Sequence, residues 1–160
     1  MYPLGHIGIT VFLATLLYLP AQFALIGVLL PDVVDKVLFV AGVVPCGVFA
    51  AHTVFFGPII GSIIFLITKR KDLSLGIMFG SLMHLIEDAE HFVPWFYPLV
   101  NYPFNCGPLT LSFTLFTILT EILGAALLIV TVVFNSKLIY YRERARSWLN
   151  TLISWSKPTD

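Results

Sequence analysis

The chain has 160 residues, the size of a single domain, and 58% of them are hydrophobic against about 45–50% in soluble proteins. Charged residues make up only 11%, and the 9 basic and 9 acidic side chains cancel. This composition excludes a soluble globular enzyme, a disordered chain and a nucleic-acid-binding protein, and leaves an integral membrane protein.

In chain order, the first apolar run is Leu4–Leu19. It follows no basic segment and has no cleavage site of small residues, so we expect a retained span and not a signal peptide. The next apolar pieces are interrupted by Pro31, and each is too short to cross about 30 Å of hydrocarbon. We therefore expect Ala21–Val44 to form a broken, partly re-entrant helical hairpin, covered by protein or water.

Three further apolar segments approach the length of a membrane span, about 20 residues. They are Ala50–Thr68, Leu73–His91 and Leu109–Phe134. A loop rich in proline and aromatic residues, Phe92–Pro108, separates the last two and favours the water–lipid interface. The complete prediction is an all-α integral membrane protein with about four transmembrane helices and a re-entrant hairpin.

Beyond the last span, Tyr140–Ser156 mixes arginines with apolar residues at helical spacing, which indicates an amphipathic helix on a membrane surface. We divide the chain into a membrane-embedded helical domain, residues 1–136, and a basic amphipathic tail, residues 137–160. This tail and the basic cluster Lys69–Lys71 both belong in the cytoplasm by the positive-inside rule. The prediction is a protein of the cell (inner) membrane with its N-terminus outside and its C-terminus in the cytoplasm.

This topology brings imidazole and carboxylate groups from four segments to one depth near the outer face. The six residues are His6, Asp32, Asp35, His52, His84 and Asp88. Ionisable groups in or beside apolar segments are costly, so each is a candidate functional residue. His84 and Asp88 lie four residues apart, on one helix face. Such ligands suit one or two divalent ions, with Zn²⁺ expected first and Mn²⁺ or Fe²⁺ as alternatives.

Some of these residues also have a structural interpretation. Asp32 fits the acidic start of a helix, and Lys36 could neutralise it. His6 could be an interfacial residue and His52 a polar residue at a helix start. Glu121 lies in mid-span without a basic partner nearby in the sequence. It could be protonated, hydrogen-bonded to threonines or directed at the site.

The motifs around the six residues follow one another in a recognisable order. Gly5-His6, LLPDVVDK from Leu29, AHT at Ala51 and GSLMHLIED from Gly80 resemble the membrane-bound metal-dependent hydrolase family of bacteria and archaea. The chain is most similar to the archaeal branch of this family, over residues 4–108. The resemblance implies that the metal ligands are His6, Asp32, Asp35, His52, His84 and Asp88.

The chain also departs from the family pattern. Many bacterial members carry a His-Arg pair five residues before the motif histidine, where this chain has Gly47 and Val48. Glu87, His91 and Glu121 match no family position. The missing arginine weakens the case for a phosphate-directed mechanism.

The function expected from these residues is a metal-dependent hydrolase that uses metal-activated water. Its substrate would be a membrane lipid or a lipid-linked ester or phosphoester at the outer face. The catalytic residues would be Asp35, His84 and Asp88. The alternatives are a transport element, or an accessory subunit of a membrane complex whose polar cluster binds an ion or is structural. Partners would be a second copy of the chain or other subunits of such a complex.

The two cysteines of the chain, Cys46 and Cys106, fall in predicted outer loops. An extracytoplasmic position permits a disulfide between them, although the sequence does not establish that they meet.

Overall fold

The computed structural model describes residues 2–104 and 114–155, with side chains up to Phe134 and at residues 143, 144, 147 and 148. Over these ranges the chain forms five α-helices and a short 3₁₀ turn, with no β-strand, so the predicted all-α class is confirmed. The elements are α1 (Pro3–Leu16), α2 (Ala21–Val40), the 3₁₀ turn (Ala50–His52), α3 (Phe56–Thr68), α4 (Lys71–Glu87) and α5 (Leu115–Trp155).

Helix α2 replaces the predicted re-entrant hairpin, because it continues through Pro31 without a break. A proline has no N–H for the carbonyl four residues earlier, which here belongs to Gly27. The hydroxyl of Ser81 on α4 donates to that carbonyl at 3.0 Å. The helix continues past its proline because a neighbouring helix supplies the missing donor, and the sequence of α2 alone does not reveal this.

Glycines set the closest helix contacts. A Cβ on Gly80 of α4 would overlap the carbonyl oxygen of Ala24 on α2, and a Cβ on Gly27 would overlap that of Ile77. Gly8 of α1 and Gly124 of α5 face each other in the same way. Small residues that let two helix backbones approach are typical of helix pairs in membranes.

The helices surround a polar centre. Helix α4 packs against α2 and α3, α1 packs against α2 and α5, and the 3₁₀ turn packs against α2. The largest fully buried side chains include His6, His52, His84 and Asp35. Many large apolar side chains lie on the surface, with Leu99 78% exposed. Buried ionisable groups are rare in proteins unless they are paired, so the polar centre is a candidate for function.

Only one stretch of the described residues, Leu115–Phe134 in α5, is long and apolar enough to cross a membrane by length and composition. Helices α1 and α3 are apolar but have 14 and 13 residues, where about 20 are needed. Helix α4 has 17 residues, and α2 has 20 but includes three charged side chains. Helix lengths therefore do not support the four predicted transmembrane helices.

The predicted segments differ from the helices mainly at their ends. Ala50–Thr68 is divided into the 3₁₀ turn and α3, and α4 ends at Glu87 instead of His91. Residues 92–104 are non-helical, in line with the predicted loop. Helix α5 contains Leu115–Phe134 of the predicted last span and the amphipathic segment as far as Trp155, so the proposed boundary at residue 136 falls inside it. Residues 109–113 of the predicted span lie outside the described residues.

Candidate metal centre

Five of the six predicted site residues form two overlapping groups at the polar centre. His6 comes from the first turns of α1, Asp32 from α2 and His52 from the 3₁₀ turn, while His84 and Asp88 come from the end of α4. The loop-side group is Asp32, His52 and His84, and the helix-side group is His6, His84 and Asp88. Within each group the candidate ligand atoms lie within 4.8 Å of one another, and His84 belongs to both groups.

In the loop-side group, three ligand atoms face each other across short distances. Nε2 of His52 lies 3.4 Å from Oδ1 of Asp32 and 3.2 Å from Nε2 of His84. Nε2 of His84 lies 3.8 Å from the same aspartate oxygen. The two imidazoles meet edge to face, with ring centroids 5.0 Å apart. Two imidazoles and one carboxylate therefore converge on one point.

In the helix-side group, Asp88 bridges two histidines. Its Oδ1 lies 3.3 Å from Nε2 of His6, and its Oδ2 lies 3.5 Å from Nε2 of His84. The rings of His6 and His84 are stacked, with centroids 4.3 Å apart. The predicted pairing of His84 and Asp88 on one face of a helix is present in this geometry.

The spacing of these atoms fits a divalent ion. Ligand atoms bound tetrahedrally at the bond lengths of Zn²⁺ lie about 3.3–3.6 Å apart. The five distances given above run from 3.2 Å to 3.8 Å. Buried Nε2 of His6 has no hydrogen-bond partner among the described residues, and a bound ion would satisfy this atom. The donor set and its geometry therefore suit a metal site, while the identity of the metal is left open.

Asp35, the sixth predicted residue, lies behind His52 and outside both groups. Its carboxylate is fully buried and accepts hydrogen bonds from the backbone N–H groups of Phe49 at 2.6 Å and Ala51 at 3.0 Å. Its Oδ2 also lies 2.8 Å from Nδ1 of His52. A carboxylate on one ring nitrogen fixes the imidazole with the other nitrogen directed at the site. Asp35 thus orients His52.

Glu87, which matches no family position, plays the same part for His6. Its Oε2 lies 2.7 Å from Nδ1 of His6, and its Oε1 accepts a hydrogen bond from the Thr10 hydroxyl at 2.9 Å. Nε2 of His6 is thereby directed at Asp88. The only sequence signal was the position of Glu87 beside Asp88 at the edge of the helix face that carries His84.

The aspartates form the more open edge of the cluster. The side chains of Asp32 and Asp88 are 24% and 15% exposed, against 1–2% for the three histidines. Nζ of Lys36 lies 2.6 Å from Oδ2 of Asp32, which confirms the predicted pairing of these residues. Solvent and a ligand would therefore reach the cluster past the two aspartates.

His52 lies in the turn before α3, between two carboxylates. Burial lowers its pKa, but hydrogen bonds to Asp32 and Asp35 outweigh this effect, and the pKa is raised above its usual value. The carboxylates around the cluster therefore favour positive charge, on an imidazole or on a bound cation.

Other candidate residues lie elsewhere. His91 is exposed beyond the end of α4. Glu121 accepts hydrogen bonds from the backbone N–H groups of α1, and these partners are neither the threonines nor the cluster that its sequence position suggested. Cys46 is buried and disulfide-bonded, whereas Cys106 lies outside the described residues.

Comparisons of the chain with protein-family models, with curated proteins and with solved structures return no match. A functional assignment must therefore be drawn from the cluster itself.

Proposed function

We propose that the protein is a membrane-embedded, metal-dependent hydrolase of the kind that its motifs resemble. The observation that carries this proposal is the convergence of three imidazole Nε2 atoms and two carboxylates at the buried centre of an apolar protein. The proposed ligands are His6, Asp32, His52, His84 and Asp88, and they hold one or two divalent ions. Zn²⁺ is the first choice, with Mn²⁺ and Fe²⁺ as alternatives.

The surrounding residues support a site built for catalysis. A bound divalent ion would supply a Lewis acid that activates water near neutral pH. Asp35 and Glu87 hold two of the imidazoles in place, which removes the need to order them during the reaction. Asp88 is at the open edge, where we propose that its carboxylate orients the water that the ion would activate.

The membrane location rests on the apolar exterior. We propose that α5 spans the membrane through Leu115–Phe134 and that the shorter apolar helices are embedded beside it. Exposed aliphatic side chains on α3, such as Leu66 and Ile67, would then contact lipid. The basic cluster Lys69–Lys71 and the C-terminal segment would face the cytoplasm, with the N-terminus outside.

The substrate class follows from this location and from Lys36. A site that opens at the boundary of the membrane suits a lipid or a lipid-linked ester or phosphoester. The ammonium group of Lys36 stands at the open edge, and the side chain as a whole is 45% exposed. It can contact an anionic headgroup there, which favours a phosphoester among these substrates.

The first test is the metal content of the purified protein, measured by elemental mass spectrometry beside two variants. His84→Ala removes the one residue that both groups share, and His91→Ala removes an exposed histidine outside them. We expect one or two transition-metal equivalents in the parent and in His91→Ala, and none in His84→Ala. A folded parent that binds neither Zn²⁺ nor Mn²⁺ when both are offered would refute the proposal.

The second test is hydrolysis of ester and phosphoester lipids in mixed micelles. We expect activity that is lost with a chelator, restored by Zn²⁺ or Mn²⁺, and absent in His84→Ala. A protein that retains metal but hydrolyses no lipid would instead point to one of the alternatives. Ion flux in liposomes would then identify a transport element, and a stoichiometric co-purified subunit would identify an accessory role.

A further inference from the structure

We propose that Glu121 of α5 is a positioning residue for His6, because it caps the N-terminus of α1 from the neighbouring helix. The functional meaning of this inference rests on the proposed metal centre. Its geometry involves only α1, α5 and the His6–Glu87 contact, so it can be tested with or without a metal ion.

The carboxylate of Glu121 accepts hydrogen bonds from two backbone N–H groups that have no partner within α1. The first N–H groups of a helix have no partner within the helix. In α1, Pro3 has no N–H, and the N-cap residue Tyr2 supplies no side-chain cap. The next two donors, the N–H groups of Leu4 and Gly5, bond to Oε2 and Oε1 of Glu121 at 3.1 Å and 2.9 Å.

This contact also explains an acidic residue within Leu115–Phe134, the stretch of the described residues that is long and apolar enough to cross a membrane. A carboxylate in lipid must find donors within the protein. The two N–H groups and the positive end of the α1 dipole provide them. The carboxylate of Glu121 and the first N–H groups of α1 therefore satisfy each other. A helix N-terminus is usually capped by the residue that precedes it, whereas here the cap comes from a residue 117 positions away.

Gly124 fixes the distance between the same two helices. It lies one turn after Glu121, and a Cβ on it would overlap the backbone of Leu4 and Gly5. The contact between Gly8 and Gly124 extends this close approach along α1. These contacts thus set the distance between α1 and α5, and they set the position of α1 along the axis of α5.

His6 follows directly on the two capped residues. Its backbone is held through Glu121, and its ring is held by Glu87 of α4 at 2.7 Å. Two carboxylates from different helices therefore fix the position of Nε2, which faces Asp88: Glu87 acts on the ring and Glu121 on the preceding backbone. If the cap is removed, the first turn of α1 loses its anchor, and the imidazole loses its fixed position with it.

The experiment compares Glu121→Ala and Glu121→Gln with Thr131→Val as a matched control. Thr131 is a buried polar residue of the same helix, and among the described residues its hydroxyl bonds within that helix, to the carbonyl of Leu127 at 2.8 Å. The first readout is the ¹⁵N resonances of the His6 ring in metal-free protein. The second is the affinity for Co²⁺, followed by its visible absorption.

We expect Glu121→Ala to move the His6 ring resonances, to leave those of His52 in place and to weaken Co²⁺ binding about tenfold. Glu121→Gln keeps one acceptor oxygen, so its His6 resonances and its Co²⁺ affinity should lie between those of the parent and of Glu121→Ala. Thr131→Val should change neither the resonances nor the affinity. In a His6→Ala background, Glu121→Ala should cost less than about twofold in affinity, because the residue through which it acts is gone.

The outcomes separate the two proposals. A parent that binds no Co²⁺ refutes the metal centre, and the His6 resonances still decide the role of Glu121. Unchanged His6 resonances in Glu121→Ala refute the positioning role whatever the metal result. An equal loss of affinity with and without His6 would assign Glu121 to general stability and also overturn it. Should Glu121→Ala fail to fold, Glu121→Gln carries the same comparisons.

Discussion

The loop-side and helix-side groups place similar ligands by different means. On the loop side, Asp35 orients His52 across 17 residues and is itself held by two backbone N–H groups. On the helix side, Glu87 orients His6 across 81 residues and is held by one hydroxyl. The Asp35–His52 pair is therefore assembled by a nearby turn, whereas the Glu87–His6 pair forms only when α1 docks against α4.

This difference indicates where the site is rigid and where it can loosen. The carboxylate of Asp35 is 0% exposed, and each of its oxygens has a backbone donor, so the His52 ring has a fixed frame. The ring of His6 depends on the packing of three helices. We therefore expect the loss of Asp35 to lower the stability of the protein more than the loss of Glu87 does.

The largest expected effect is the loss of Asp35. Asp35→Ala leaves two backbone N–H groups and Nδ1 of His52 without their acceptor, and removal of one partner from a buried charged network costs about 3–5 kcal/mol. Glu87→Ala removes the acceptor of one hydroxyl and one ring nitrogen, for which about 1–3 kcal/mol is expected. Thermal unfolding in detergent, followed by circular dichroism, measures both.

Asp35→Asn serves as the control for that pair, because it keeps the shape and one acceptor oxygen. We expect its unfolding midpoint to lie between those of the parent and Asp35→Ala. If Glu87→Ala were as destabilising as Asp35→Ala, the two groups would be equally rigid and the comparison would fail.

The same contrast explains what the sequence could predict. The helical class and five residues of the cluster follow from apolar run lengths and from the spacing of His and Asp residues, which are local features. Glu87, Ser81 and Glu121 act on residues 81, 54 and 117 positions away. No local pattern reveals such partners. Asp35 was recognised as part of the cluster, but its place behind His52 depends on the path of the turn.

The predicted hairpin at residues 21–44 fails for the same physical reason. Pro31 interrupts helix hydrogen bonding, and the expectation of a break is sound for an isolated segment. The hydroxyl of Ser81 removes the cost of the open Gly27 carbonyl. A contact between two helices thus decides the local conformation of one of them.

Removal of the metal is the next largest effect. An ion that binds the folded protein but not the unfolded chain stabilises it by about 2.7 kcal/mol at one hundred times its dissociation constant. We expect Zn²⁺ to raise the unfolding midpoint of the parent and EDTA to reverse the change. Because His84 belongs to both groups, His84→Ala should give no shift with Zn²⁺. A shift of parental size in this variant would place the ion elsewhere.

A smaller effect is expected from Thr10→Val, which tests the helix-side group without removing a charge. The change keeps the shape of the side chain and takes one hydrogen bond from Glu87, worth about 1 kcal/mol. The ring of His6 should become less ordered, and Zn²⁺ affinity should fall about tenfold. Isothermal titration calorimetry measures the affinity, with Thr131→Val as control. Unchanged affinity would mean that the contact with His6 alone fixes Glu87.

The smallest expected effect on stability comes from Lys36→Met at the open edge of the loop-side group. An exposed ion pair contributes about 0–1 kcal/mol, so the unfolding midpoint should stay close to that of the parent. Removal of the ammonium group leaves Asp32 free for the ion, and Zn²⁺ affinity should not fall. With an anionic phosphoester lipid KM should rise and kcat should change little, whereas a neutral ester should be hydrolysed as by the parent. Equal effects on both substrates would show that Lys36 only balances the charge of Asp32 and does not bind the headgroup.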